Sequence, residues 1–371
     1  MSFLDFFRSK ARILQCPYCL TSVAVANMDP VKCSSAQCGR EFPPLFLKNY
    51  QKAPPLLMPM MGHPNAGKTS FLMAATVAIV RSIEFWGRTG NHPDHYALTD
   101  ESHEFVEHVK RCLRTGKLQE PTQEAAIRLA YLIQMLRIPR WGDRIMVLRD
   151  VPGEHFSSRR RTIDAVQIPF LANAPSVFLF YDPTKDREGA GSKHDGSGDR
   201  HAVDPEDRTI DHIFRAYVMG LQEKAGVEFG PGNRRKVVVV ITKADEIKDL
   251  PLHLKNYLET DEHWDAELRD KNFQSGDSGF TDQSMARYME RLFNVSSELR
   301  KWILTQPGGK ALIAAAETTN HVELHFCMVS SIPCGVEWSS EGLEPRAKWQ
   351  DPSRILDPIY WALELNSRPV R

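Results

Sequence analysis

Apolar positions fall into two periods along the chain, and the switches between them mark the elements. Short continuous apolar runs at Leu56 to Met61, Ser176 to Tyr181, Lys236 to Ile241 and Val322 to Met328 predict buried strands. Helical spacing predicts helices over Lys68 to Trp86, Glu101 to Leu113, Arg159 to Leu171, Pro205 to Lys224, much of the polar stretch 251–312, and Asp351 to Leu365, the last as an amphipathic helix. A hairpin-like pair lies between: Ala126 to Ile138 is β-leaning, Pro139 to Asp143 is turn chemistry, and Ile145 to Leu148 is a short buried strand. Strands alternating with helices are the pattern of an α/β domain. Pro59 cannot donate to a ladder, so the first strand is expected to be short or bulged there.

The turn after that strand carries the clearest chemistry. Gly62-His63-Pro64-Asn65-Ala66-Gly67-Lys68-Thr69 fits G-x-x-x-x-G-K-[ST] at every fixed position. The two glycines let backbone N–H groups turn inward toward phosphate oxygens. Lys68 supplies a point charge for β- and γ-phosphates, the Thr69 hydroxyl suits a magnesium ion, and the helix opening at Lys68, Thr69 and Ser70 adds its partial positive charge. The hairpin's second strand ends in Asp150-Val151-Pro152-Gly153-Glu154. There Asp150 can reach the same magnesium ion through water, and the Gly153 N–H can sense a γ-phosphate. The strand Lys236 to Ile241 delivers Thr242-Lys243-Ala244-Asp245. An ionised Asp245 accepts from guanine N1–H and N2, whereas adenine leaves it unpaired, and the Lys243 stem can lie across the base. The last strand ends at Ser330 and Ser331, and the Ser331 N–H is placed to meet guanine O6.

A second cluster lies near the N-terminus. Cys16-Pro17-Tyr18-Cys19 with Cys33 and Cys38 gives C-x2-C and C-x4-C pairs that can wrap one zinc ion, with Gly39 turning the backbone toward it. A redox reading of Cys-Pro-Tyr-Cys needs a βαβ fold that this segment is too short to build, and it leaves the second pair unexplained. Unmetallated core thiols are the other reading. Pro43-Pro44 and Pro54-Pro55 bracket a linker, dividing the chain into 1–52, with the zinc ribbon, and 53–371, with helical insertions at about 88–121 and 251–312 and a flexible loop at about 186–204.

Composition narrows the class. The 371 residues are 42% hydrophobic, enough for a full core, and 47 basic residues balance 47 acidic ones. Zero net charge argues against a general polyanion binder, although residues 1–52 hold seven basic and three acidic side chains, which suits an acidic partner, nucleic acid, or a solvated face. No apolar run approaches the ~20 residues of a membrane helix, the N-terminus does not read as a secretory signal, and clustered cysteines suit a reducing compartment. A cytoplasmic location is expected.

With P-loop, D-x-P-G and T-K-A-D in this order, the chain resembles the translation-factor-related (TRAFAC), Ras-like class of P-loop GTPases over about residues 56–365. The resemblance implies a three-layer P-loop NTPase sandwich, its sheet mostly parallel with one antiparallel strand, preceded by a small zinc ribbon. It implies binding of GTP or GDP with magnesium, a switch threonine at Thr122 (Thr115 the alternative), and hydrolysis answering to a protein effector or activator. Glu154 stands where Ras-like enzymes place a water-orienting glutamine, with His155 beside it, so turnover is expected to be slow or partner-dependent. Asn65 resembles the loop asparagine of potassium-using GTPases, and Arg159-Arg160-Arg161 is either an arginine finger or a solvated helix face. The ribbon, the insertions and D-x-P-G-E are similar to bacterial double-GTPase families of NTP-dependent conflict systems. Two further readings stay open: a non-catalytic GTP-binding module that regulates a partner, and a zinc-ribbon nucleic-acid adaptor.

Overall fold

The computed structural model describes residues 12–25, 30–36, 38–50, 53, 55–86, 96–115, 131–138, 140–151, 168–184, 209–263, 281–331, 336–338, 345–347 and 352–366. Its centre is a seven-stranded sheet. The strands are β3 (Pro55–Gly62), β4 (Tyr96–Ala97), β5 (Tyr131–Ile138), β6 (Gly142–Asp150), β7 (Ser176–Tyr181), β8 (Arg235–Ile241) and β9 (Val322–Met328), in the order β4-β5-β6-β3-β7-β8-β9. The five from β6 to β9 run parallel, while β5 is antiparallel to β6 and the two-residue β4 to β5. Strand β3 pairs with β6 on one side and β7 on the other, so the chain order reverses at its carboxyl end. That is where an open α/β sheet offers a ligand crevice.

Alternation along the strands divides the core into two faces. On one, Leu57, Met61, Val177, Leu179, Val237, Val239 and Phe326 meet α4 (Ile168–Asn173), α5 (Ile210–Ala225) and α8 (Pro307–Thr319). On the other, Met58, Met60, Phe178, Phe180, Val238 and Val240 meet α2 (Lys68–Trp86), α3 (Asp100–Thr115) and α9 (Asp357–Asn366). Helix α7 (Asp282–Ile303) serves both, with Met285 and Leu292 in the second cluster and Leu299 and Ile303 in the first. It opens on a capping box between Thr281 and Ser284. With α6 (Leu252–Glu259), α7 brings the described parts of 251–312 into the core; their polar composition hides a buried stripe. The fold is a three-layer α/β sandwich around a mostly parallel sheet.

Pro59 does not bulge or shorten its strand. The β6 register runs through it unbroken, Pro59 opposite Arg149, and the strain-free solution lies on the other edge, where the β7 ladder begins only at Met60. Helix α9 starts six residues later than the periodicity suggests, because Arg354 takes φ +58 and donates its N–H to Asp261 instead of joining the helix. Residues 357–363 are all buried, so α9 is a core helix rather than an amphipathic one.

The N-terminal hairpin, β1 (Arg12–Gln15) with β2 (Ser22–Val25), and α1 (Pro44–Asn49) pack onto the first face. Pro44 opens α1 where a linker was expected, since proline suits the first helical turn and Phe46 is fully buried. Leu14, Val23 and Phe46 share one apolar cluster with Leu57, Ile145 and Phe170 of the sheet domain. Among the described residues, no helix is long and apolar enough to cross a membrane.

Candidate functional site

The carboxyl end of β3 becomes the phosphate loop without a gap. A side chain at Gly62 would put its Cβ 2.7 Å from the Phe180 carbonyl oxygen and 2.9 Å from the Phe180 Cβ on β7, so this glycine permits close strand packing rather than a turn. Gly62→Ala is expected to destabilise the protein by roughly 1–3 kcal/mol, read as a lower urea midpoint, because backbone cannot yield as a side chain can. Gly67 does supply a turn, at φ +82, and Asn65 adopts φ +61. The Ala66 N–H closes the loop on the His63 carbonyl at 3.2 Å, and Phe71 N–H reaches Gly67 O at 2.8 Å as α2 begins. His63 and Pro64 are half-buried, as is Ser70 in the first turn, and Ala66 is buried.

Lys68 is buried and folds back over the loop, donating to the Gly62 and His63 carbonyls at 3.1 and 3.0 Å. Beside it the Thr69 hydroxyl donates to Asp150 Oδ2 at 2.9 Å. Strand β6 is longer than the apolar run suggested and ends on Asp150, and Val151 N–H continues to Met60 O at 2.9 Å. Two hard oxygen donors, 81 residues apart in sequence, thus converge beside a lysine. That donor set fits magnesium.

The base loop assembles next to it. A Cβ on Gly67 would lie 3.7 Å from the Thr242 Cβ, so phosphate and base loops are neighbours. Thr242 N–H donates to Tyr181 O at 2.9 Å, and Lys243 takes φ +51 with its ammonium 2.7 Å from Asp182 Oδ2. Asp245 sits exposed on a 3-10 turn, Ala244–Glu246. Ser330 and Ser331 are buried at the end of β9, tied in by Ala244 N–H to Val329 O at 3.3 Å. Thr122, Gly153, Glu154, His155 and the run 159–161 lie outside the described residues.

Sequence reasoning missed what holds the Ser330 end. Ser330 and Ser353 exchange backbone hydrogen bonds at 3.1 and 2.9 Å, and the next residue, Arg354, is buried with its guanidinium on Glu262 and on the Tyr257 carbonyl. Fully buried Asp357 accepts from the Tyr257 and Tyr288 hydroxyls. Burial pushes its carboxyl up from 3.8 to about 7, against the downward pull of Arg354 and of the tyrosine hydrogen bonds. A folded-state value above the unfolded one means the added stability is complete below about pH 4 and lost as pH rises through about 7. Asp357→Asn imitates the protonated form. Its melting temperature relative to wild type is expected to climb between pH 5 and pH 8, by the equivalent of roughly 2 kcal/mol.

The cysteines form a separate centre. All four Sγ atoms of Cys16, Cys19, Cys33 and Cys38 lie within 4.8 Å of one another, with Cys16–Cys38 at 3.8 Å and Cys19–Cys33 at 3.4 Å. A zinc tetrahedron with bonds of about 2.3 Å needs sulfur edges of about 3.8 Å, so the set fits zinc. Leu20 (φ +62) and Gly39 (φ +54) turn the two knuckles, with Leu20 N–H on Cys16 O and Gly39 N–H on Ser35 O. Contact between the two thiols pulls Cys19 down and pushes Cys16 up, so the pair holds one sulfur toward the thiolate that a metal requires. The first knuckle also meets the sheet: Arg149 donates to the Tyr18 carbonyl at 2.9 Å, and Arg40 lies 3.6 Å over the Tyr18 ring.

The Double-GTPase 2 family model matches residues 56–303, which holds the phosphate loop, the β6 carboxylate and the base loop. The chain belongs to this family. Membership and the assembled site together support guanine-nucleotide binding and hydrolysis in general. Two solved structures of the S. cerevisiae Ski7 GTPase-like domain, one bound to GTP and one to GDP and inorganic phosphate, match at 13% and 11% identity with TM-scores of 0.32 and 0.31. Each match covers 87% of this chain but 53% of the other, so this double-GTPase chain spans about half the length of those. Those scores are too low to bear on fold or ligand. No curated protein sequence matches the chain.

Proposed function

We propose that this chain is a magnesium-dependent GTPase that hydrolyses GTP to GDP and phosphate and acts as a molecular switch. The observation that carries the reading is the pairing of Thr69 with Asp150 beside Lys68, one loop away from Thr242-Lys243-Ala244-Asp245. Lys68 exchanges two carbonyl partners for β- and γ-phosphate oxygens, and the P-loop N–H groups cradle the same phosphates. Thr69 and, through water, Asp150 would hold magnesium, with Thr122 completing the set; bound there, the ion neutralises charge developing on the phosphates. The Gly153 N–H reads the γ-phosphate, Glu154 with His155 orients the attacking water, and Asn65 would help to hold a potassium ion if one supplies the charge of an arginine finger. Asp245 and the Ser331 N–H read guanine.

A test of the base assignment is Asp245→Ala. Two charge-assisted hydrogen bonds are lost, so GTP affinity is expected to fall roughly 10²-fold or more by calorimetry, while weak ATP binding stays put. Equal affinities of the wild type for GTP and ATP would sink the assignment. Glu154 favours a second reading, a module ordered by GTP without turnover, because its carboxylate is repelled by the γ-phosphate. A cytoplasmic location follows from composition and cysteine usage, and a protein effector and a place in a bacterial conflict system follow from the resemblance; the ribbon's basic excess leaves a nucleic-acid partner as the lesser option.

A further inference from the structure

Asp182 has no place in the nucleotide motifs, yet beside them it is a buried carboxylate with partners on both oxygens. It follows β7 directly and is 5% exposed. One oxygen accepts from the Thr184 N–H at 3.1 Å and from the Thr184 hydroxyl at 2.5 Å, which fixes the carboxylate plane. The other lies 2.7 Å from the Lys243 ammonium. That pair bridges the ends of β7 and β8, just beyond Tyr181 opposite Ile241, at the carboxyl edge of the sheet. The Lys243 backbone is in the left-handed region at φ +51, and its side chain keeps 35% of its surface exposed. The stem is therefore held at both ends with one flank open to solvent.

Resting on the GTP-binding reading above, we propose that Asp182 is a positioning residue for guanine recognition: it holds the Lys243 ammonium so that the lysine stem forms a fixed platform for the base. Two physical effects support it. A free lysine loses most of its rotamer freedom when a ligand lands on it, and tethering the head before binding removes that loss. Neutralising the ammonium on a buried carboxylate also keeps it off Asp245, two residues along, leaving that carboxylate for the guanine N1–H and N2 groups.

The test is GDP affinity, with IDP as the analogue lacking the 2-amino group, measured by calorimetry on the full chain. Wild type is compared with Asp182→Asn, Lys243→Met, the double variant and Asp182→Glu. Asparagine keeps an acceptor for Thr184, so the turn survives while the ion pair does not. Asp182→Asn is expected to weaken GDP and IDP in the same proportion, by about tenfold, because the stem stacks on the ring and not on the amino group. The double variant is expected to bind no more weakly than Lys243→Met alone, and Asp182→Glu to retain more affinity than Asp182→Asn. Unchanged GDP affinity in Asp182→Asn overturns the inference, as does a loss that persists undiminished in the Lys243→Met background, which would mark a merely structural turn. Wild-type protein that binds no GDP at all overturns the guanine reading itself, and this inference with it.

Discussion

Lys68→Ala is expected to lower GTP turnover by roughly 10²–10³-fold, the scale seen when one preorganised electrostatic donor is removed from a phosphoryl- or acyl-transfer site. The lysine is already buried over the loop on the Gly62 and His63 carbonyls, so its charge is in position before nucleotide arrives. Exchanging those carbonyls for phosphate oxygens turns charge–dipole hydrogen bonds into charge–charge ones, which are stronger where water is excluded. Alanine leaves the two carbonyls to water and strands no buried charge, so the fold is expected to survive. The expected signature is a collapse of single-turnover phosphate release with a melting temperature close to wild type. A variant that hydrolyses GTP at the wild-type rate would place the phosphates elsewhere.

Loss of the metal from the cysteine cluster is expected to have the larger structural effect. Zinc binding contributes about 10–16 kcal/mol in small zinc peptides, as much as the whole stability of an ordinary domain. The ribbon holding it is not an appendage: Leu14, Val23 and Phe46 lie in the same apolar cluster as Ile145, Val147 and Phe170. The first knuckle's Tyr18 carbonyl also receives buried Arg149, the residue before Asp150. Cys16→Ser, or a strong chelator, is therefore expected to lower the melting temperature of the whole chain and to expose apolar surface that binds a hydrophobic dye. Elemental analysis of the purified protein should give one zinc per chain. Protein that melts unchanged after complete removal of metal would contradict a structural zinc.

Much of this site can be read along the chain because its chemistry is local. The phosphate loop needs eight consecutive residues, the base loop four, and each follows an apolar run whose strand forms as expected. Asp150 is legible for a similar reason, since a carboxylate at a strand end beside such a loop has few other uses. The departures are tertiary. Pro59 sits in an unbroken strand because only one of two neighbouring ladders has to do without its N–H. Pro44 begins a helix because Phe46 has a core to enter. Helix α7 looks polar in sequence because it buries one stripe against partners that no local pattern names. Asp182 obeys the same strand-end rule as Asp150, and that signal was there to be used. Arg354 and Asp357 were not legible: their partners Glu262, Tyr257 and Tyr288 lie 66 to 100 residues away.

The central claim is selective turnover of GTP at this site. Phosphate release from GTP and from ATP, each with magnesium and in potassium against sodium, tests it most directly. Release from GTP is expected well above that from ATP, abolished without magnesium and faster in potassium. Equal release from the two nucleotides would contradict the guanine site, and tight GTP binding with no release in either salt would contradict the enzyme and leave the GTP-ordered module.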